Sequence, residues 1–365
     1  MSTEPSGRAI GRVVFAPRYD KFNPYQGLLA AAIARLGVDV RMASFATRFP
    51  LLQVGRGLDR ATEVLHLHWL DRAYADADPA RHALKIVRTV LEILWLRHRG
   101  LRIYYTAHNL HGHEARWPRL EGWALRRIVR ASENTFVHSS AARLRLLREY
   151  QLSAASAARV LVAEHGNYGN RIASPAEREA ARRRYGLQPG KTVFLVFGLL
   201  RGYKGLAKLI RNFQAWTAPD AVLLIAGSSR ARDPTEAERI RAAAQEDARI
   251  LPLIRSWPDE ELPDLFAAAD ACVVAHDWQL TSGSLILAMG FGKPLLLPDR
   301  DIADECPALD GNLIARPDWS SAFGQFSSMS ASQRLSLGED NARRATALSW
   351  GRAAECIVAA YRRAG

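Results

Sequence analysis

Thr192-Val193-Phe194-Leu195-Val196-Phe197 runs directly into Gly198-Leu199-Leu200-Arg201-Gly202-Tyr203-Lys204-Gly205, and an amphipathic stretch over 205–216 follows. Five consecutive apolar residues after Thr192, without polar alternation, read as a strand covered on both faces, the habit of a parallel sheet. The loop after it is flanked by glycines, carries two cations three residues apart and opens a helix. Arginine supplies a planar fork for phosphate oxygens, lysine a point charge, and the helix start adds unpaired N–H groups with a positive dipole end. The chemistry this pattern fits is a diphosphate clamp.

The same alternation extends on both sides. Downstream, strands are expected at 221–226, 249–252, 271–275 and 294–297, with helices near 234–247, 259–268 and 282–291. Upstream lies an arginine-rich helix at 175–185, and before it a first series with strands at 11–16, 38–43, 64–69, 102–106 and 134–138 and helices near 25–36, 81–98, 118–131 and 140–150. Strands separated by helices imply parallel sheets with both faces covered. At 365 residues the chain exceeds one ordinary core, so two α/β doubly wound domains are expected, over 1–170 and 171–349, with a closing helix at 350–365 that packs back. In such sheets ligands collect in the loops at the carboxyl ends of the strands.

Composition narrows the classes. At 48% hydrophobic and 24% charged residues the chain is a folded protein and neither disordered nor fibrous. Cys272, Cys306 and Cys356 form no Cys-x-x-Cys pair, so no disulfide framework or cysteine-rich zinc site is encoded, and a reducing compartment fits. The start MSTEPSGRAIGR lacks the apolar core of a signal peptide, and no run of about 18 uncharged apolar residues follows. The most apolar helical stretch, 86–96, is interrupted by Arg88 and Glu92 and reads as a packed helix, with an interfacial helix as the alternative. Residues 1–170 hold 25 basic and 14 acidic side chains, a net +11, which leaves +2 of the total +13 for the remainder. A field concentrated in one half attracts phosphorylated ligands, nucleic acid or an anionic membrane surface. No recognition helix, zinc finger or aromatic RNA-binding motif accompanies the charge, so a basic nucleic-acid-binding protein is the weaker reading and no nucleic acid is expected.

Three further loops carry chemistry. After the strand at 271–275 comes His276-Asp277-Trp278-Gln279-Leu280-Thr281-Ser282-Gly283-Ser284, where small hydroxyls around a glycine let backbone approach an anion or cap a helix. After 102–106 comes Ala107-His108-Asn109-Leu110-His111-Gly112-His113-Glu114, three histidines and a carboxylate in one loop. No matching carboxylate or cysteine group lies nearby in sequence, so no metal is expected there. Asn23-Pro24-Tyr25-Gln26 starts the first helix, with Asn23 placed to cap and Pro24 at the first helical position. Of His66 and His68 only one is expected to face a cleft.

In order, LLRGYKG (199–205), LLIAGSS (223–229), WPDEEL (257–262) leading into LFAAADACVVA, then TSGSLILAMGFGKPLLLP (281–298) and a closing SWGRAAECIVAAYR resemble the nucleotide-sugar half of GT-B glycosyltransferases. NPYQGLL (23–29), LHLHWL (65–70), TAHNLHGHE (106–114) and TSGS are similar to bacterial exopolysaccharide β-mannosyltransferases of the xanthan type, and more distantly the chain resembles family 4 glycosyltransferases. The resemblance implies two Rossmann-like domains facing a cleft, the first binding acceptor and the second nucleotide sugar, with the last helix crossing back to the first domain. It places Arg201 and Lys204 on the donor diphosphate, Thr281, Ser282, Gly283 and Ser284 on its other side, and the loop with Ser256 and Trp257 beside the nucleobase. Where many retaining members carry Glu-x7-Glu, this chain has Gln279 and Leu287. Loss of both carboxylates points to inversion, which requires a general base near the acceptor hydroxyl. Glu114 is the expected base, with Asp71 and Asp20 as rivals; His113 or His108 orients it or contacts the donor. Tyr25, Gln26, His68 and Trp69 are the expected acceptor residues.

The reading that follows is a hexosyltransferase taking a nucleotide-diphosphate sugar, GDP-mannose by resemblance, without metal or other cofactor. Its acceptor would be a lipid-linked (polyprenyl diphosphate) oligosaccharide, reached from the cytoplasm at the inner face of the membrane. Arg97, Arg99, Arg102, Arg126, Arg127, Arg130, Arg143, Arg145 and Arg148, interleaved with Leu and Trp, suit contact with anionic lipid. A UDP-sugar transferase and a GT-B sugar-nucleotide epimerase are the alternatives.

Overall fold

The computed structural model describes residues 10–19, 23–110, 117–229, 234–275, 280–298 and 311–363. The chain divides into two units, one of residues 1–166 with 279–281 and 349–365, the other of residues 167–278 and 282–348.

In the first unit β1 (Arg12–Ala16), β2 (Asp39–Met42), β3 (Glu63–Leu67), β4 (Arg102–Thr106), β5 (Thr135–Val137) and β6 (Val160–Val162) form one parallel sheet in the order β2-β1-β3-β4-β5-β6. Its helices are α1 (Tyr25–Ala34), α2 (Pro50–Arg56), α3 (Asp71–Tyr74), α4 (Pro79–His98), α5 (Pro118–Ala131), α6 (Ser140–Tyr150) and α7 (Ala154–Ala157). In the second unit α8 (Pro175–Arg184) precedes β7 (Thr192–Phe197), α9 (Leu206–Ala215), β8 (Ala221–Gly227), α10 (Thr235–Glu246) and β9 (Ile250–Ile254). It continues with α11 (Leu262–Ala268), β10 (Ala271–Val273), α12 (Gly283–Gly290), β11 (Leu295–Pro298), β12 (Leu313–Ala315), α13 (Trp319–Ser328) and α14 (Ala331–Ala347). This sheet is also parallel, ordered β12-β11-β10-β7-β8-β9.

The apolar run at 192–197 does what a two-faced strand must. Val193 and Leu195 face one core with Leu224, Phe266 and Met289, while Phe194 and Val196 face the other with Ile225, Phe213 and Phe323. Successive side chains point to opposite faces, so an unbroken apolar run is the pattern that fills both.

The last helix, α15 (Trp350–Arg363), belongs to the first unit. Ala353, Ala354, Ile357, Val358 and Tyr361 recur at helical spacing and are buried against Phe15, Leu29 and Ile33 of β1 and α1. At its start the Trp350 ring lies against the backbone of Gly166, edge-on to Tyr25 at 5.1 Å. A methyl group at 166 would fall inside the indole, so glycine there is what lets the helix dock. Gly166→Ala is expected to destabilise the first unit by about 1–3 kcal/mol, the range for overpacking, read as a lower urea midpoint; an unchanged midpoint would show that α15 docks without that contact.

Candidate functional site

Strand order places the crevices. In the second sheet β7 is followed outward by β8 and β9 on one side, whereas β10 starts the run to β11 and β12 on the other. The connections leaving β7 and β10 therefore diverge, and the gap between them is where a doubly wound sheet receives its ligand. The loop after β7 is 198–205; of the chain after β10, residues 276–279 lie outside the described residues and α12 begins at Gly283.

Glycine sets how closely these segments approach. Gly227 has φ +155°, and a side chain there would collide with the Gly198 carbonyl; Gly205 has φ +69°, and a side chain there would meet the Ala275 carbonyl oxygen. Gly198 itself, at φ +126°, has room of 3.9 Å toward the Ser284 Cβ. The result is a small open pocket whose lining includes Gly198, Leu199, Lys204, Ala275 and Ser284. The cation loop and the hydroxyl turn thus meet at one place.

The expected donor residues are distributed as follows. Arg201 is partly exposed and precedes a short 3-10 turn, Gly202–Lys204, whose Lys204 amide donates to the Arg201 carbonyl at 2.9 Å. Ser282 caps α12, its Oγ accepting from the Leu285 amide at 3.4 Å and lying 3.2 Å from the Ser284 Oγ. The Thr281 hydroxyl donates to the Leu280 carbonyl at 2.6 Å. Gly283 lies against the Tyr168 hydroxyl, 2.9 Å from where a Cβ would stand. Ser256 and Trp257 follow β9; the Trp257 indole N–H donates to the Leu253 carbonyl at 3.3 Å, and the Arg255 guanidinium lies 3.7 Å from the indole centre. Leu287 packs against the apolar core of the unit, and Gln279 is outside the described residues.

Lys204 is half-buried as a residue, but its ammonium end is surrounded by protein, and burial pushes its pKa down to about 8. Among the described residues no carboxylate holds its charge. A bound polyanion would restore the protonated form, so anion affinity in this pocket should weaken as pH rises through about 8 and Lys204 gives up its proton. Titration calorimetry with pyrophosphate at about pH 7 and pH 9 is expected to show the loss, and Lys204→Arg, which stays charged, is expected to flatten it.

In the first sheet the order reverses between β1 and β3, so the loops after those strands flank its crevice. Trp69 follows β3 with φ +26°, a strained conformation for a bulky residue. Its indole stacks on His108, ring centres 3.8 Å apart and planes 10° apart. The His68 Nδ1 and His108 Nε2 are hydrogen-bonded at 3.1 Å. Tyr25 stands edge-on to His68, Trp69, His108 and His138. His66 does not turn away from His68: residues two apart share a face of a strand, and the rings stack at 4.4 Å with both buried. The expectation that only one of them faces a cleft is corrected on that ground. His66 is held by the Tyr361 hydroxyl and by Thr106 Oγ1.

His138 and His165 complete a cluster of five buried histidines that sequence reading did not assemble. Each follows the end of a strand, β5 and β6, where parallel strands bring their ends together; that strand-end placement was the available signal. The Nε2 atoms of His68 and His138 are buried without a hydrogen-bond partner among the described residues. Gln26 is fully buried, its amide donating to the Pro17 carbonyl at 2.9 Å while its Oε1 accepts from the Tyr19 amide at 2.6 Å, so it braces the β1 loop. Asn23 accepts from the Tyr25 amide at 2.9 Å, and Pro24 precedes α1. Asp20, His113 and Glu114 lie outside the described residues; Asp71 opens α3.

Burial lowers the pKa of all five histidines, to about 4 for His138 and about 3 for His66 and His165, with neighbouring histidines adding to the effect at all but His138. They are neutral near pH 7. In the unfolded chain the same groups take protons near 6.5, so below that pH the unfolded state binds more protons and stability falls with pH. Going from about pH 7.5 to 5.5 should cost the first unit about 1 kcal/mol per histidine. Hydrogen exchange resolved by peptide is expected to show β3–β6 losing protection across that window while β7–β9 keep theirs; parallel losses in the two units would contradict the assignment.

Residues 191–325 match the family model described as glycosyl transferases group 1. Two similar proteins are GDP-mannose:glycolipid 4-β-D-mannosyltransferases of Xanthomonas campestris pv. campestris, one 26% identical over 251 residues, covering 67% of this chain, the other 26% identical over 240 residues, covering 65%. These matches span 64% and 61% of the relatives' own length. Among solved structures, Anabaena HepE in complex with UDP and glucose superposes with a TM-score of 0.72 at 13% identity, covering 96% of this chain and 98% of that one. Sucrose-phosphate synthase from Thermosynechococcus elongatus gives 0.72 at 15% identity, covering 97% and 98%. The chain therefore has the GT-B fold of glycosyltransferases, and its sequence resembles the xanthan-type GDP-mannose:glycolipid β-mannosyltransferases.

Proposed function

We propose that the chain is a glycosyltransferase that moves mannose from GDP-mannose to a lipid-linked oligosaccharide with inversion. The observation that carries this reading is the convergence of Lys204, the Gly198 backbone and Ser284 on one pocket at the switch point of the second sheet. The family model covers the same segment, and the printed names of the relatives supply the donor and the class of acceptor.

In this reading the second unit holds the donor. As the glycosidic bond breaks, negative charge grows on the leaving diphosphate; Lys204 and the starts of α9 and α12, which line the pocket, would meet it, with Arg201 supplied from the same loop as Lys204. Cations of the chain then do the neutralising, without a metal. The first unit takes the acceptor, with Tyr25, His68 and Trp69 beside it and Glu114 as the base that accepts the hydroxyl proton. His108, neutral by burial, acts as a hydrogen-bonding partner and not as a cation. Gln279 and Leu287 stand where a retaining pattern has carboxylates, which favours inversion. The acceptor's lipid places the reaction at the cytoplasmic face of a membrane.

A thermal-shift series with GDP-mannose, UDP-glucose and ADP-glucose is expected to give the largest rise with GDP-mannose, since a ligand of the folded state stabilises by mass action. Incubation with donor alone should leave the nucleotide sugar unchanged, which separates transfer from epimerisation. With a lipid-linked acceptor, Arg201→Ala should lower turnover by roughly 100-fold, and Glu114→Gln by about 100-fold or more with donor affinity intact. Unchanged turnover in Arg201→Ala would falsify the clamp.

A further inference from the structure

α4 has two apolar faces. One packs inward through Ile86, Val90, Ile93 and Leu96. The other consists of Leu84, Val87, Leu91, Leu94 and Trp95, all exposed, with Leu84 at 65% and Leu91 at 60%. Their spacing of 3, 4, 3 and 1 makes a continuous stripe along the helix. α5 packs beside α4 and presents Arg119, Trp123, Arg127 and Arg130 outward at intervals of 4, 4 and 3.

The charge on this face has one sign. Glu92 and Glu121 are the only acids on the two helices, and both are buried, Glu92 against the α2 amides and Glu121 against His82. Among the described residues the nearest acids beyond them are engaged, Asp76 with Lys85, Glu133 with Arg97, and Asp78 as the cap of α4. The exposed tryptophans sit under arginines: Arg56 and Arg99 lie 5.2 and 5.6 Å from the Trp95 ring, and Arg127 5.4 Å from that of Trp123. An exposed apolar stripe of this length marks an interaction site. One rimmed by arginine and tryptophan, with no exposed acid on either helix, matches the boundary between acyl chains and anionic headgroups.

We propose that the outer face of α4 and α5 docks on an anionic phospholipid bilayer, with Leu84, Leu91 and Trp95 entering the headgroup region and Arg99, Arg119 and Arg127 meeting lipid phosphates. This assignment differs from one made on arginine count alone. Arg102 is buried, donating toward the Tyr361 and Ala61 carbonyls; Arg97 pairs with Glu133; Arg143 donates to the Val160 and Ala157 carbonyls. Those three hold the fold and are not part of the face. The proposal rests on exposure and charge, and stands whether or not the transfer chemistry does.

The test is co-sedimentation of the full chain with vesicles of phosphatidylglycerol and phosphatidylcholine in equal parts, against vesicles of phosphatidylcholine alone. Binding is expected only to the anionic vesicles and should be lost in high salt. The pair Leu91→Ser with Trp95→Ala should weaken partition at least tenfold, and the pair Arg119→Glu with Arg127→Glu by about 25-fold or more, at about fivefold for each arginine near the surface. These positions are exposed, so thermal unfolding should stay near that of the parent; Leu335→Ser, at an equally exposed leucine of the second unit, should bind as the parent does. The proposal is overturned by absence of binding to either vesicle, by equal binding to both, or by unchanged partition in the two paired variants. It is also overturned if sedimentation without lipid shows self-association that the same pairs abolish, because the face would then be covered by a second copy of the chain.

Discussion

The carbonyl oxygen of Gly198 occupies the space in which any side chain at position 227 would begin, and the carbonyl oxygen of Ala275 does the same for position 205. Both contacts are between backbones, at the carboxyl edge of a parallel sheet, and both depend on glycines with positive φ. Their effect is to draw the loop after β7 against the ends of β8 and β10. Lys204 is thereby carried into a pocket instead of out into solvent, and Ser284 is brought to the same wall. A cation that burial deprives of water holds its proton less firmly, so the backbone packing and the lowered pKa of Lys204 have one cause.

The first sheet solves the same topological problem with the opposite electrostatics. Its crevice is lined by imidazoles that burial keeps neutral, braced by Tyr25, Trp69, Trp350 and Tyr361. The net +11 in residues 1–170 is thus not carried by that histidine cluster. Neutral histidines offer directional hydrogen bonds without attracting counter-ions, whereas the pocket of the second sheet holds a buried cation, Lys204. The excess of the first unit is displaced outward, onto α4, α5 and their neighbours.

The strand-to-helix alternation was readable because buried parallel strands are unbroken apolar runs, and the strands at 192–197 and 102–106 need no partner to be recognised. What escaped was short or weakly apolar. β6 and β12, three residues each, close one edge of their sheets and carry too little pattern to stand out. α14 is mostly polar outside Leu337, Ala342 and Ala345, and its signal was local: Ser330 and Gln333 form a capping box. The loops after β7 and before α12, which share a pocket, were conspicuous in sequence because glycine, arginine, lysine and serine stand within a few residues of one another. The histidine cluster was not, because its members come from four different strand ends and from positions as far apart as 66 and 165. Gln26 shows the converse: a polar residue at a helix start looks available in sequence, and only the structure shows both ends of its amide occupied by the β1 loop.

The stretch 86–96 shows where periodicity stops being sufficient. Arg88 and Glu92 made it look like a packed helix, and one face is packed; Glu92 is buried against α2, and Arg88 reaches across to the Arg48 and Ala73 carbonyls. Both polar residues are therefore consumed within the unit, and what remains outward is apolar. In water that exposure is a cost, since nothing in the fold requires leucine at 84 or 91. A chain that keeps leucine at those positions, tryptophan at 95 under two arginines, and no acid between them has a surface matched to an amphiphile with negative headgroups. If the acceptor is tethered to lipid, an enzyme held at the bilayer gains more than one that meets that acceptor in solution, because confinement raises the effective concentration.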